Sequence, residues 1–279
     1  MTKLSIRTDA GVFDAIAAGP PEGRPVLLLH GFPQKGLVWQ RQIEALAARR
    51  YRVVAPDQRG YSPGARPQQP EDYRIGLLVD DVVAISEQLG WAAFDLVGHD
   101  WGGAVAWWTA HAHPGRVRTL TVVSTPHPGA LATTLRTDQD QRRRSRYMID
   151  WRGTPATEER MLADDAMELR AAYAGKVPQD SADAYVRHLS QPGALSAALN
   201  WYRAGRPDGA IGVIDVPTLY VWSTEDSAFG PAAAQETERW VKGPYRFETL
   251  QGVSHWIPEE APETLSRLLL EHLRAHGEY

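Results

Sequence analysis

The chain contains no cysteine. That excludes disulfides, thiolate metal sites and a cysteine nucleophile together. Long apolar runs are also missing. Stretches such as Val26-Leu27-Leu28-Leu29 fall far short of the roughly 20 residues that a membrane-spanning helix requires. The opening residues, Met1-Thr2-Lys3-Leu4-Ser5, do not read as an apolar signal segment. Charge of one sign is not in excess either. A formal net charge of -4 gives no electrostatic reason to expect nucleic acid or an anionic membrane as a partner. No internal repeat or low-complexity segment interrupts the 279 residues. The expectation is a soluble, cytoplasmic protein. With 43% hydrophobic and 23% charged residues, the chain can bury a sizeable core.

What is present begins with a rhythm. Leu4 to Ile6 and Val12 to Ala17 predict a hairpin through Asp9-Ala10-Gly11. Pro25 to His30 is a continuous apolar run ended by Gly31, the pattern of a strand buried on both faces. Helical character near Gly36 to Arg49 gives way to a strand at Tyr51 to Ala55. From Ile75, apolar positions follow a period near 3.6 to Leu89, and Gly90 suits a helix stop. Phe94 to Gly98 predicts a strand, Gly102 to His113 a helix, and Val117 to Val123 a further strand. Such alternation implies right-handed crossovers and a mostly parallel sheet.

The rhythm stops from about His127 to Gly212, where helical stretches are dense in polar residues and strand-like runs are nearly absent. It resumes at Val216 to Trp222 and Tyr245 to Leu250. A single amphipathic helix is expected from Pro258 to about His276. We therefore expect an α/β core formed by 1-126 and 213-279, with its sheet flanked by helices. Residues 127-212 would form an inserted helical cap. The run Arg142-Arg143-Arg144 with Arg146 reads as a solvated helix face rather than a binding patch. Most of the ten tryptophans read as packing residues.

The strongest chemical signal is Gly98-His99-Asp100-Trp101-Gly102-Gly103, lying between a predicted strand and a predicted helix. It matches the nucleophile elbow G-x-Nu-x-G with a carboxylate, Asp100, as nucleophile. A strand-to-helix turn this sharp strains the central residue, and small neighbours leave it room. No G-x-S-x-G occurs, so no serine competes for the role. An Asp at a helix start is otherwise a common cap. Three further segments argue for chemistry. His30-Gly31-Phe32-Pro33 follows an apolar strand, so the backbone N–H groups of Phe32 and Trp101 could converge on one oxygen. Asp226 and His255 follow the two late strands, in the order nucleophile, acid, histidine. Glu225 is the neighbour that could be confused with the acid, and motif position favours Asp226.

These pieces, with Asp57-Gln58-Arg59-Gly60-Tyr61-Ser62, Asn200-Trp201-Tyr202-Arg203 and Gly252-Val253-Ser254-His255-Trp256, carry a resemblance. The sequence resembles an epoxide hydrolase of the α/β-hydrolase superfamily over nearly the whole chain. The resemblance implies that Tyr202 hydrogen-bonds the epoxide oxygen and that Tyr147, four residues before Trp151, is a second ring-opening tyrosine. Tyr173 and Tyr185 are the other tyrosines of the insertion, and their surroundings match nothing in that family. Ser62-Pro63 and Ser223 depart from glycines common in the family, which bears on loop conformation. Asp57, His30 and His99 read as structural.

The implied mechanism needs only these side chains. Asp100, already anionic at neutral pH, attacks the strained carbon while phenols of pKa about 10 donate to the departing oxygen. His255, oriented by Asp226, then activates water against the ester, and a vicinal diol leaves. The expected partners are a small-molecule epoxide and water, with no metal and no organic cofactor. Two alternatives stay open. A haloalkane dehalogenase would share the Asp nucleophile and use Trp101 as a halide donor, although that group usually carries Asn or another halide-stabilising donor where Phe32 stands. A silent binding protein could keep the fold and its pocket without turnover.

Overall fold

The computed structural model describes residues 1–153, 156–205 and 209–277. Eight strands form one sheet in the order β1-β2-β4-β3-β5-β6-β7-β8. The first hairpin is β1 (Thr2–Thr8) and β2 (Gly11–Ala18), paired antiparallel with Thr8 opposite Gly11. β2 also runs antiparallel to β4 (Arg52–Pro56). The other neighbours are parallel: β3 (Pro25–Leu29), β4, β5 (Phe94–His99), β6 (Val117–Val123), β7 (Thr218–Glu225) and β8 (Tyr245–Ser254).

The apolar run of β3 shows why the sheet is sandwiched. Leu27 and Leu29 join the core on one face, and Val26 and Leu28 join the core on the other. The first face is covered by α2 (Ile75–Gln88) and α3 (Trp101–Ala112), through Leu78, Val82, Ile85, Val105 and Ala106. The second is covered by α1 (Gln40–Ala47) and the last helix, through Ile43, Leu46, Leu265 and Leu269. α3 is apolar almost all round because it is the buried helix directly behind the elbow.

Between β6 and β7 the described residues contain helices and no strand. They are α4 (Pro128–Thr137), α5 (Gln139–Arg144), α6 (Tyr147–Asp150), α7 (Ala156–Ala172), α8 (Gln179–Leu189) and α9 (Ala194–Arg203). α7 is broken within its span: Ala163 is extended at ψ 157°, and Asp164, Asp165 and Ala166 are left-handed at φ 50°, 56° and 57°. After the insertion come α10 (Pro231–Glu236), α11 (Ile257–Glu260) and α12 (Pro262–Ala275). The single helix expected from Pro258 to His276 is thus two. Ala261 sits at φ -131° and ψ 50° because the Pro262 ring disfavours a helical conformation in the residue before it. Among the described residues no helix is long and apolar enough to cross a membrane.

Candidate active site

The elbow residue lies at the end of β5. Asp100 has φ 52° and ψ -122°, a strained conformation for a residue with a side chain. The turn closes so tightly that a Cβ on Gly98 would collide with the Gly102 carbonyl, and one on Gly102 with the Leu29 carbonyl. Asp100 makes no capping bond along α3. Instead its Oδ1 accepts the Phe32 backbone N–H at 2.8 Å. The Trp101 N–H also acts on this carboxylate. Of the two backbone donors expected from sequence, Phe32 makes a hydrogen bond to this carboxylate and Trp101 lies next to it in the chain. Thr125, on the loop after β6, donates through Oγ1 to the Asp100 carbonyl at 2.7 Å and steadies the elbow from below.

β7 and β8 deliver the other two side chains. Asp226 follows β7 directly and is fully buried, whereas Glu225 is exposed and lies 3.7 Å from Lys176. Asp226 Oδ2 lies 3.0 Å from His255 Nδ1, and His255 Nε2 lies 3.4 Å from Asp100 Oδ2. The His255 carbonyl is held by His99 Nε2 at 2.9 Å and Ser124 Oγ at 3.0 Å. Burial alone would lower the imidazole, but the carboxylates of Asp226 and Asp100 outweigh it and push His255 up to about 10. Burial by itself would raise Asp100. The hydrogen bond and positive charge of His255 reverse this and hold it below the ordinary carboxylate value. The carboxyl groups on either side thus favour the protonated imidazole.

The insertion supplies the facing wall. Asp100, Trp101, Tyr147 and Tyr202 all line one cavity of about 210 Å³, together with Met148 and Trp201. Tyr202 stands within an aromatic cluster: its ring centroid is 5.1 Å from Trp101, 5.4 Å from Trp151 and 5.5 Å from Phe32. Tyr147 packs on Trp151 at 4.6 Å and lies 6.4 Å from Tyr202. The Trp101 and Tyr202 rings meet edge to face, 85° apart. Burial first, and then the negative charge of Asp100, push both phenols well above their ordinary value. Both are protonated donors in the resting site.

Tyr173 and Tyr185 go elsewhere. Tyr173 donates to the Pro33 carbonyl at 3.1 Å and Tyr185 to Glu259 at 2.9 Å, so both fasten the insertion to the core. His30 is fully buried; its Nε2 accepts the Gln58 N–H at 3.0 Å, and burial brings its pKa down to about 4. Asp57 accepts the Gly36 N–H at 2.7 Å and pairs with Lys35 at 2.8 Å, a loop-tying role. The arginine run needs a correction. Arg142, Arg143 and Arg146 are exposed, but Arg144 turns inward and donates to the Asp226 carbonyl. Sequence reasoning also missed Gln141 and Ser124, whose roles depend on backbone groups far away in the chain.

Residues 24–262 match the family model described as alpha/beta hydrolase fold. A Bacillus subtilis AB hydrolase superfamily protein, YfhM, is 33% identical over 96% of each chain. Epoxide hydrolase 3 of Xenopus tropicalis is 32% identical, across 95% of this chain and 76% of its own. The chain belongs to the epoxide-hydrolase family of the α/β-hydrolase fold. Among solved structures, an epoxide hydrolase from Bacillus megaterium in complex with an inhibitor superposes with a TM-score of 0.89. It is 27% identical and is covered over 100% of its length, against 97% of this chain.

Proposed function

We propose that the protein hydrolyses a small epoxide to a vicinal diol through a covalent ester on Asp100. The observation that carries this reading is the shared cavity, in which a buried carboxylate at an elbow meets two protonated phenols from the insertion. The residues 127-212 act in this reading as a cap that limits water around the reacting atoms.

In the first half-reaction an Asp100 oxygen attacks an epoxide carbon, and the carbon–oxygen bond of the ring breaks. Tyr147 or Tyr202 gives its proton to the leaving oxygen. The His255 imidazolium, relieved of the Asp100 negative charge by ester formation, loses the interaction that held its proton. That proton restores the tyrosine, leaving a neutral imidazole beside a neutral ester. In the second half, His255 takes a proton from water, and the hydroxide adds to the Asp100 carbonyl carbon. The Phe32 and Trp101 N–H groups stabilise the oxyanion. Collapse breaks the ester bond, the second proton of the water ends on the diol, and Asp100 and the imidazolium are regenerated. The balance is one epoxide and one water to one diol.

The packing of Tyr202 on Trp101 supports an epoxide over a haloalkane. A halide leaving group on the Trp101 indole would have to share that space with the phenol, whose ring centroid lies 5.1 Å away. The deciding experiment is a single turnover of styrene oxide in heavy-oxygen water. Label is expected in the Asp100 carboxylate, read by mass on its peptide. Label confined to the diol would exclude the covalent route.

A further inference from the structure

The loop carrying Asp226 is held from outside the core. Asp226 Oδ1 accepts the backbone N–H groups of Ala228 at 2.8 Å and Phe229 at 2.9 Å, so the loop curls around its own carboxylate. The exposed side of that curl is then taken by one short helix of the insertion, α5. Gln141 donates through Nε2 to the Ala228 carbonyl and accepts the Gly230 N–H through Oε1, both at 2.9 Å. Its side chain is fully buried, and its amide also donates to Ser145 Oγ at 2.9 Å. Arg144, three residues on, donates to the Asp226 carbonyl and is aimed by Asp140 at 2.6 Å.

We propose that Gln141 and Arg144 are positioning residues for the Asp226–His255 pair, so that the insertion sets the geometry of ester hydrolysis as well as covering the cavity. This rests on the reading that Asp100 forms an ester. The physical case is one of orphaned groups and angles. A buried amide that serves both an N–H and a carbonyl of the same loop fixes that loop in position and orientation. Without it, those two buried backbone groups lose their partners, and the loop must move to find others. Any such movement shifts Asp226 Oδ2 relative to His255 Nδ1, now at 3.0 Å, and so turns the imidazole away from the attacking water. Ring opening depends on Asp100 at the β5–α3 elbow and on the two phenols. Displacing the acid loop therefore bears most heavily on the second half-reaction.

The test separates the two halves by rapid quench with styrene oxide, following the ester on the Asp100 peptide. In Gln141→Met and Arg144→Met, ester formation should stay within about twofold of wild type, while ester hydrolysis slows on the order of tenfold or more and the ester accumulates. The acid limb of the hydrolysis step should move to lower pH, because a displaced Asp226 holds the imidazole proton less firmly. Arg144→Lys, which keeps a donor, should recover most of the loss. Equal slowing of both steps, or no change in hydrolysis, would overturn the assignment. If Gln141→Met does not fold, Arg144→Met, at a side chain 25% exposed, decides alone by the same criteria. Absence of any ester in the wild-type protein would instead overturn the reading of Asp100 and leave the clasp to be judged by its pH profile.

Discussion

At the scale of single residues, three charges share one buried line. Asp226 and Asp100 flank His255 at 3.0 and 3.4 Å, and neither carboxylate is more than slightly exposed. Such an arrangement favours a proton on the imidazole until one carboxylate is neutralised, and the ester proposed on Asp100 would do that. In the proposed mechanism, His255→Gln removes the base but leaves the nucleophile and the phenols. Turnover should fall by on the order of 1000-fold or more, with the alkyl adduct seen as added mass on the Asp100 peptide. Tyr202→Phe tests the other half. Losing the donor should lower kcat/KM roughly 100-fold while leaving the Asp226–His255 pair intact, and steady-state kinetics on styrene oxide would show it. Asp226 was legible from motif order alone. Arg144 was not, since a run of arginines gives no sign of which one turns inward.

At the scale of elements, loops at the C-terminal ends of the strands carry the proposed catalytic side chains, and helices hold those loops. The Asp57 loop illustrates how. Arg59 makes a two-pronged pair with Asp81 of α2, with both bonds at 2.7 Å, and its carbonyl accepts the Trp201 indole of α9 at 3.0 Å. Core, loop and insertion meet at this one buried ion pair. Asp81→Ala leaves an uncompensated guanidinium and should cost about 3–5 kcal/mol, read from urea denaturation. A value below about 1 kcal/mol would mean that water reaches Arg59. The strands of the core were legible because their apolar runs are short, continuous and bounded by turn residues. The break between α11 and α12 was visible in principle at Pro262, but the amphipathic period runs across it and masks the stop. Periodicity reports which face is buried and is blind to a single backbone kink.

At the scale of the molecule, buried histidines dominate the expected response to acid. Burial holds His30, His99 and His272 down to about 4 and His127 to about 3, all below the ordinary value of 6.5. As pH falls, the unfolded chain takes up these protons first. The stability they contribute is full above about pH 6.5 and is lost as pH falls towards 4. His255 has the opposite sign. Raised to about 10, it contributes fully below about 6.5 and loses that contribution as pH rises through 10. Glu259, raised by burial to about 7, also favours the acid side, but it is one group against these four and His188, which burial lowers as well. Tm should therefore peak near neutrality and drop by roughly 10 °C or more between pH 7 and pH 4, measurable by calorimetry. A flat profile would show that the four imidazoles are solvated.

By itself the sequence determined the order of strands and helices, the carboxylate at the elbow, and the acid and histidine on late loops. Each of these is written locally, in the period of apolar residues or in glycines that a sharp turn requires. The resemblance singled out Tyr147 and Tyr202, and the tertiary structure alone decided which other side chains of the insertion grip the core. Tyr147 and Tyr202 enter the cavity while Tyr173 and Tyr185 brace the core, and Gln141 and Arg144 grip the acid loop more than 80 residues away. A tyrosine or arginine carries the same local signal in either place. Its partner is chosen by how the helices of the insertion pack, and that packing is a property of the folded whole.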